Sequence, residues 1–114
     1  MGIDITTNRK ETHSIIHAAG RIDAVTCDEL EESLMKLLDQ GETNIILSLE
    51  NIEYISSAGL RVLVVIAKQL YDDGNFCLCN ASENVLEIIE MAGFNVFMTI
   101  YEDLETAEAT LNAD

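Results

Sequence analysis

Two adjacent hydroxyls, Ser56 and Ser57, are the groups of this chain best placed for chemistry. They follow the β-like pair Tyr54-Ile55 and precede Ala58, where an apolar helical pattern begins. A serine at this point can cap the helix, because its oxygen accepts a hydrogen bond from an orphan backbone N–H group, a role worth about 1 kcal/mol. The same position tolerates a phosphate, since negative charge is favoured at the positive end of the helix dipole. The spacing alone leaves both interpretations open.

The residues around Ser57 argue against an enzyme. A serine hydrolase places its nucleophile in a Gly-x-Ser-x-Gly turn, whereas Ile55 and Gly59 stand at the two glycine positions here. The sequence also lacks a glycine-rich loop that could cradle phosphates. We therefore expect no catalytic residues, no cofactor and no ATP site within the chain, so that any ATP must be supplied by a partner.

The histidines and cysteines do not form a metal-binding pattern. His13 and His17 are four residues apart on a predicted strand, which separates them by roughly 13 Å. Cys77 and Cys79 share one face of another predicted strand but have no third and fourth ligand close in sequence. We expect no metal site. Three cysteines cannot all pair within the chain, so they are interpreted as reduced core thiols.

Composition and charge narrow the class of protein. The 114 residues, 48% hydrophobic and 24% charged, fit one globular domain spanning 1–114. Six basic residues against 21 acidic ones give a net charge of −15, which disfavours binding to nucleic acid or to an anionic membrane.

No apolar run reaches the roughly 18 residues of a membrane span. The first residues lack the pattern of a secretory signal, so the expected location is cytoplasmic.

The hydrophobic pattern alternates between strands and helices. It predicts an opening β-hairpin with Ile3 and Ile5 in one strand, 14–19 in the next and Gly20 at its end. Strands alternating with helices predict an α/β fold, in which about four helices pack against a mixed sheet. The predicted helices cover 27–40, 58–71, 83–92 and 104–111, and the later strands cover 44–49, 52–55 as an extension or a separate strand, 76–80 and 97–100.

Capping residues mark the ends of the predicted helices. Thr26 with Glu29 three residues later predicts a capping box on the first helix. Ser82 and Asp103 are predicted to cap the third and fourth helices, and Gly93 to end the third in a left-handed conformation. The inner face of the third helix is predicted to carry Val85, Ile88, Ile89 and Ala92, and residues 112–114 are predicted to fray.

Two motifs resemble those of a known family. Gly20-Arg21-Ile22-Asp23 precedes the first helix, and Tyr54-Ile55-Ser56-Ser57-Ala58-Gly59-Leu60 precedes the second. With the order of elements, they make nearly the whole chain similar to the STAS domain family, specifically to the stand-alone anti-sigma-factor antagonists of bacteria. The resemblance implies that the unphosphorylated domain binds an anti-sigma factor that is also a serine kinase, and thereby frees a sigma factor. Phosphorylation then ends the binding.

The resemblance also assigns residues. The family's acceptor is the first serine of the second motif, and alignment on Gly59 makes that residue Ser57. Ser56 stands where the family often has aspartate and is the rival acceptor, while Ala58 stands where it often has a second hydroxyl. Asp23 matches a family aspartate expected near the phosphorylation site, where it would help bind the partner. The alternative is that Asp23 is an ordinary turn residue.

The outer face of the second helix predicts a docking patch. Projection at 100° per residue places Val62 and Val65 beside Arg61 on that face. The alternative is that a wide core stripe half-buries both valines. Arg61 replaces a glycine common in sporulation members of the family and is expected to tune partner choice. The predicted partner-binding residues are Asp23, Ser56, Ser57, Ala58, Gly59, Arg61, Val62 and Val65.

A different class of function competes with the switch. The chain could be a constitutive adaptor, a STAS subunit of a transport, lipid-trafficking or sensory complex, in which Ser57 only caps a helix. A small-molecule sensor is a third possibility. In the leading interpretation the free protein is expected to be a monomer.

Overall fold

A mixed five-stranded sheet runs through the computed structural model, which describes residues 2–96 and 98–111. Its strands are β1 (Asp4–Arg9), β2 (Ser14–Ile22), β3 (Asn44–Ile55), β4 (Asn75–Cys79) and β5 (Thr99–Tyr101). They lie side by side in chain order, with β1 antiparallel to β2 and every later pair parallel. Each parallel pair needs a crossover connection, and helices provide these connections.

The helices cover the two faces of the sheet unequally. They are α1 (Cys27–Asp39), α2 (Ser57–Gln69), α3 (Glu83–Met91) and α4 (Leu104–Leu111), with a short 3-10 turn at Phe94–Val96. The first three pack on one face over the main core, whereas α4 packs on the other face. The second, smaller core consists of Ile15, Ile46, Cys77, Cys79 and Ala107. The predicted α/β fold is confirmed.

The opening hairpin is confirmed, but its predicted end is wrong. Gly20 does not terminate β2, which continues to Ile22. Gly20 has a φ of +117°, and the pairing of β2 with β3 shifts register directly after it. A glycine adopts this backbone at little steric cost, so it serves as an irregularity inside a strand. The two predicted segments 44–49 and 52–55 form one strand of 12 residues, β3.

The start of α1 also differs from the prediction. Thr26 makes no side-chain capping bond, and its backbone is already helical. Its hydroxyl instead donates to the carbonyl of Arg21 at 2.6 Å and accepts from the N–H of Asp23 at 3.0 Å. The predicted capping box of Thr26 and Glu29 is therefore wrong, because the threonine hydroxyl forms its hydrogen bonds within the preceding loop instead.

Three later caps are confirmed. The Ser82 hydroxyl accepts from the N–H of Val85 at 3.2 Å, and an Asp103 carboxylate oxygen accepts from the N–H of Thr106 at 2.8 Å. Gly93 follows α3 with a φ of +77°, as a left-handed C-terminal residue should.

Some boundaries in the second half of the chain are shorter than predicted. Helix α2 ends at Gln69, so Tyr71 is 82% exposed instead of continuing the buried stripe. Helix α3 ends at Met91, which leaves Ala92 exposed rather than on the inner face. The predicted last strand began at Phe97, which lies outside the described residues, as do residues 112–114.

A buried histidine fastens α4 to the hairpin. His13 is 4% exposed, and its Nε2 lies 2.7 Å from a carboxylate oxygen of Glu108. The ammonium of Lys10 lies 2.7 Å from the same oxygen. Hydrogen bonds from Lys10 and then from His13 hold the pKa of Glu108 below its usual value. The chain thus closes a contact between residues 95 positions apart.

We predict that acid weakens this contact. Because the pKa of Glu108 is lower in the folded than in the unfolded state, its ionised form stabilises the fold at pH values above the ordinary 4.5, and this contribution disappears as the pH falls through the lower folded pKa. Glu108→Gln should lower the free energy of unfolding by about 0.5–1 kcal/mol at pH 7. The difference from wild type should shrink below pH 4.5.

Urea unfolding of both proteins from pH 7 downwards measures this difference. Glu87→Gln, an exposed change in the middle of α3, is the control and should leave stability nearly unchanged at every pH. A Glu108→Gln deficit that is constant with pH would contradict the prediction.

Candidate functional site

The two adjacent serines have different roles. Ser56 is the N-cap of α2, with an extended backbone, and its Oγ accepts a hydrogen bond from the N–H of Gly59 at 3.2 Å. Ser57 is the first residue of the helix and its side chain is exposed. Its hydroxyl has no hydrogen-bond partner among the described residues. The cap interpretation is therefore confirmed for Ser56, and the Ser57 hydroxyl is available for another purpose.

The start of α2 carries uncompensated positive potential. The first N–H groups of a helix have no partner within the helix, and the Ser56 side chain satisfies only that of Gly59. No acidic residue lies in the first turn, although the chain has 21 of them. An added negative charge at Ser57 would therefore meet the helix dipole and spare backbone donors.

Gly59 allows α2 to begin directly against the ends of two strands. A Cβ atom at Gly59 would lie 2.5 Å from Cγ2 of Ile22 and 2.9 Å from Cγ1 of Ile55, both of which are fully buried. The N–H of Ser56 also donates to the carbonyl of Ile22 at 2.8 Å. These contacts fix Ser57 beside the loop that follows β2.

Asp23 organises that neighbouring loop. One of its carboxylate oxygens accepts from the N–H groups of Val25 at 2.9 Å and Thr26 at 3.1 Å. The backbone bond from Thr26, followed by that from Val25, lowers the pKa of Asp23. The turn interpretation of Asp23 is thus confirmed, while its contact with a partner stays a prediction. Val25, at the tip of the loop, is 83% exposed.

The two motifs singled out in the sequence meet side by side in the sheet. Arg21 of the first pairs with Tyr54 of the second, and the guanidinium carbon lies 4.6 Å from the centre of the tyrosine ring. This distance is within the range of a cation–π contact. The motifs are therefore neighbouring parts of one site.

The predicted docking patch on α2 is wrong for Val62, which is 6% exposed and belongs to the main core. Helix α2 packs against α1 as well as against the sheet, so its buried stripe is wider than a single contact face requires. Val65 is half-buried, and Arg61 is exposed as expected. The buried residues of α2 are Gly59, Leu60, Val62, Leu63, Ile66 and Ala67.

Other groups in the described ranges offer little chemistry. Cys27, Cys77 and Cys79 are free and buried, which confirms their interpretation as core thiols. Burial raises the pKa of Cys77 to about 12 and that of Cys79 to about 11, so neither is a ready nucleophile.

Among residues 2–96 and 98–111, no group of three or more His, Cys, Asp or Glu could hold a metal ion. None of the helices described there is long and apolar enough to cross a membrane.

Sequence comparison identifies the family. The profile of the STAS domain matches residues 4–107, and the chain belongs to this family. BtrV of Bordetella bronchiseptica, provisionally described as an anti-sigma factor antagonist, is 36% identical over 91 residues, covering 79% of this chain and 78% of that protein. The anti-sigma-B factor antagonist of Staphylococcus aureus is 28% identical over 106 residues, covering 92% of this chain and 98% of that protein.

Solved structures show the same fold. An anti-sigma factor antagonist from Mycobacterium paratuberculosis matches with a TM-score of 0.89 at 20% identity, covering 96% of this chain and 93% of that one. The antagonist SpoIIAA in its unphosphorylated form matches with a TM-score of 0.82 at 18% identity, covering 97% and 98% of the two chains. The Bacillus SpoIIAA structure in its phosphorylated form matches with a TM-score of 0.71 at 17% identity, covering 94% and 99%.

We predict that the two serines differ in their effect on stability. Ser56→Ala removes the capping oxygen and should lower the free energy of unfolding by about 1 kcal/mol. Ser57→Ala, the matched control one residue away, removes an unbonded exposed hydroxyl and should change it by less than about 0.5 kcal/mol. Chemical denaturation of the three proteins measures both values. A larger loss for Ser57→Ala would show that the cap had been assigned to the wrong residue.

Proposed function

We propose that this protein is an anti-sigma-factor antagonist whose binding is switched by phosphorylation of Ser57. The unphosphorylated domain binds an anti-sigma factor, which then releases its sigma factor, and the phosphorylated domain no longer binds. The observation that carries the proposal is the exposed, unbonded hydroxyl of Ser57 at the first residue of α2. The names of two relatives support it: the Staphylococcus aureus protein is named an anti-sigma-B factor antagonist, and BtrV is provisionally described as an anti-sigma factor antagonist.

The choice of Ser57 over Ser56 follows from the hydrogen bonds. The Ser56 oxygen already accepts from the N–H of Gly59, so a phosphate there would have to disturb the cap. Ser56 is also half-buried, whereas Ser57 is exposed. A kinase can reach the Ser57 oxygen without breaking a contact in the domain. Ser56 stays in the proposal as the cap that places Ser57.

A phosphate on Ser57 affects the domain and its partner differently. It brings about −1.5 to −2 charges near neutral pH, which the start of α2 accommodates through its dipole. A bound partner would have to bury that charge beside a chain that already carries −15. Removing such an ion from water at an interface costs several kcal/mol, so binding is lost while the fold is kept.

The proposed interface surrounds Ser57 on both loops. Val62 and Gly59, both predicted to bind the partner, are removed from it because both residues are buried. The domain has no catalytic activity in this scheme, and the partner is an anti-sigma factor with serine kinase activity that brings the ATP. Both act in the cytoplasm, where sigma factors work, and the free domain is a monomer. The interface comprises Asp23, Ser56, Ser57, Ala58, Arg61 and Val65.

The hydrogen bonds at this site weaken the case for a constitutive adaptor. In that alternative Ser57 only caps a helix, yet the cap is Ser56. The adaptor therefore leaves the exposed hydroxyl of Ser57 without a role. It is kept as the outcome that the binding experiment below would favour if the switch failed.

We predict that the anti-sigma-factor kinase of the same genome, with ATP, adds one phosphate to Ser57. Ser57→Ala should abolish the modification, because the acceptor oxygen is gone. Ser56→Ala should still accept one phosphate, although it is less stable. Intact mass and peptide mapping measure both results. A phosphate found on Ser56 in the wild-type protein would contradict the assignment.

We further predict that Ser57→Asp weakens binding to the anti-sigma factor at least about tenfold, the equivalent of about 1.4 kcal/mol. Ser57→Ala should bind like wild type. Both variants should melt near the wild-type midpoint, since a charge at the helix start contributes only about 0.3–1 kcal/mol. Isothermal titration and thermal melting of the same samples measure the two properties.

A matched control distinguishes the effect on binding of a charge at position 57 from the effect of the added net charge. Ala109→Asp adds the same charge to an exposed position of α4, on the other face of the sheet. It should bind like wild type. Equal affinities of all variants at equal stability would reject the switch and favour the adaptor. Weak binding of Ser57→Asp together with a collapsed midpoint would show unfolding instead of switching.

A further inference from the structure

Helix α2 is a basic element in an acidic protein. The chain has 21 acidic and six basic residues, yet Ser57–Gln69 contains Arg61 and Lys68 and no Asp or Glu. Arg61 is exposed and follows Ser57 by four positions. Residues four apart lie on the same helix face with Cβ atoms about 5–6 Å apart. The guanidinium of Arg61 is therefore within reach of a group attached to Ser57.

Several other cations of the chain are already engaged. Arg9 lies 2.8 Å from a carboxylate oxygen of Glu42, Lys10 pairs with Glu108, and Arg21 stacks on Tyr54. Arg61 makes no ion pair, hydrogen bond or ring contact with any residue in 2–96 or 98–111. Its charge is free to bind an incoming anion.

We propose that Arg61 binds the phosphate of phosphorylated Ser57 and holds it against the start of α2. This inference rests on the proposed function and adds the residue that positions the modification. Arginine suits the task because its planar guanidinium donates two parallel hydrogen bonds to phosphate oxygens. The order also fits, since an acidic group four residues before a basic one is the favourable arrangement along a helix.

The pairing makes phosphorylation change two features of the surface together. A negative charge appears at Ser57, and Arg61 is withdrawn from whatever acidic group of the partner it would otherwise contact. No carboxylate on α2 competes for the guanidinium. Arg61 is thus a positioning residue, and it does not take part in the transfer of the phosphoryl group.

The second pKa of the phosphate, ordinarily about 6, tests the inference. A neighbouring guanidinium favours the dianion and therefore lowers this pKa. The full chain is produced with phosphoserine incorporated at position 57 during synthesis, and its phosphorus NMR signal is titrated. We expect the pKa to be roughly 0.2–0.4 units lower in the wild-type background than in Arg61→Gln. Arg61→Lys should recover part of the shift.

Lys68→Gln is the matched control, because it removes the same charge from the same helix. Position 68 is 11 residues from Ser57, roughly 16 Å along the axis, and should leave the phosphate pKa unchanged. An identical pKa in wild type and Arg61→Gln would overturn the inference, as would an equal shift in Lys68→Gln. Since the phosphoserine is installed without a kinase, failure here differs from failure of the proposed function, in which the kinase would not modify Ser57.

Discussion

The close approach of α2 to the ends of β2 and β3 is the contact on which the rest of the site depends. Gly59 has no side chain, so the first turn of the helix lies against Ile22 and Ile55, where a Cβ atom would come within 2.5 Å of a methyl carbon. The backbone bond from Ser56 to Ile22 closes the same junction. Because both contacts involve buried groups, the position of Ser57 is set by the core and does not depend on flexible surface residues.

That junction also explains why two short motifs so far apart in sequence form one site. β2 and β3 are parallel neighbours, so the loops that follow them leave the same edge of the sheet. Asp23 folds the first loop by accepting two backbone N–H groups, and Ser56 folds the second by capping α2. Each loop is folded by hydrogen bonds to its own short polar side chain, Asp23 in the first and Ser56 in the second.

The elements that sequence patterns predicted well are those governed by local rules. The caps at Ser82 and Asp103 and the break at Gly93 depend on residues within one helical turn, and all three are confirmed. Errors arose where a more distant group decided the outcome. The hydroxyl of Thr26 donates to the loop carbonyl of Arg21 and therefore does not cap α1. The burial of Val62 agrees with the alternative of a wide core stripe on α2, which packs against α1 as well as the sheet. Periodicity could not reveal that His13 would meet a carboxylate 95 residues away.

The different roles of Ser56 and Ser57 have an electrostatic consequence. Aspartate is an equally good N-cap, but its charge would partly neutralise the helix dipole and repel a phosphate on the next residue. Ser56 caps with a neutral oxygen, so the full positive potential of α2 is left for Ser57. With no acidic residue on α2, Arg61 is a counter-charge for such a phosphate on the same helix, four residues after Ser57. A neutral cap and an arginine one turn later therefore act in the same direction: both would favour a phosphate on Ser57, which the overall charge of −15 would oppose.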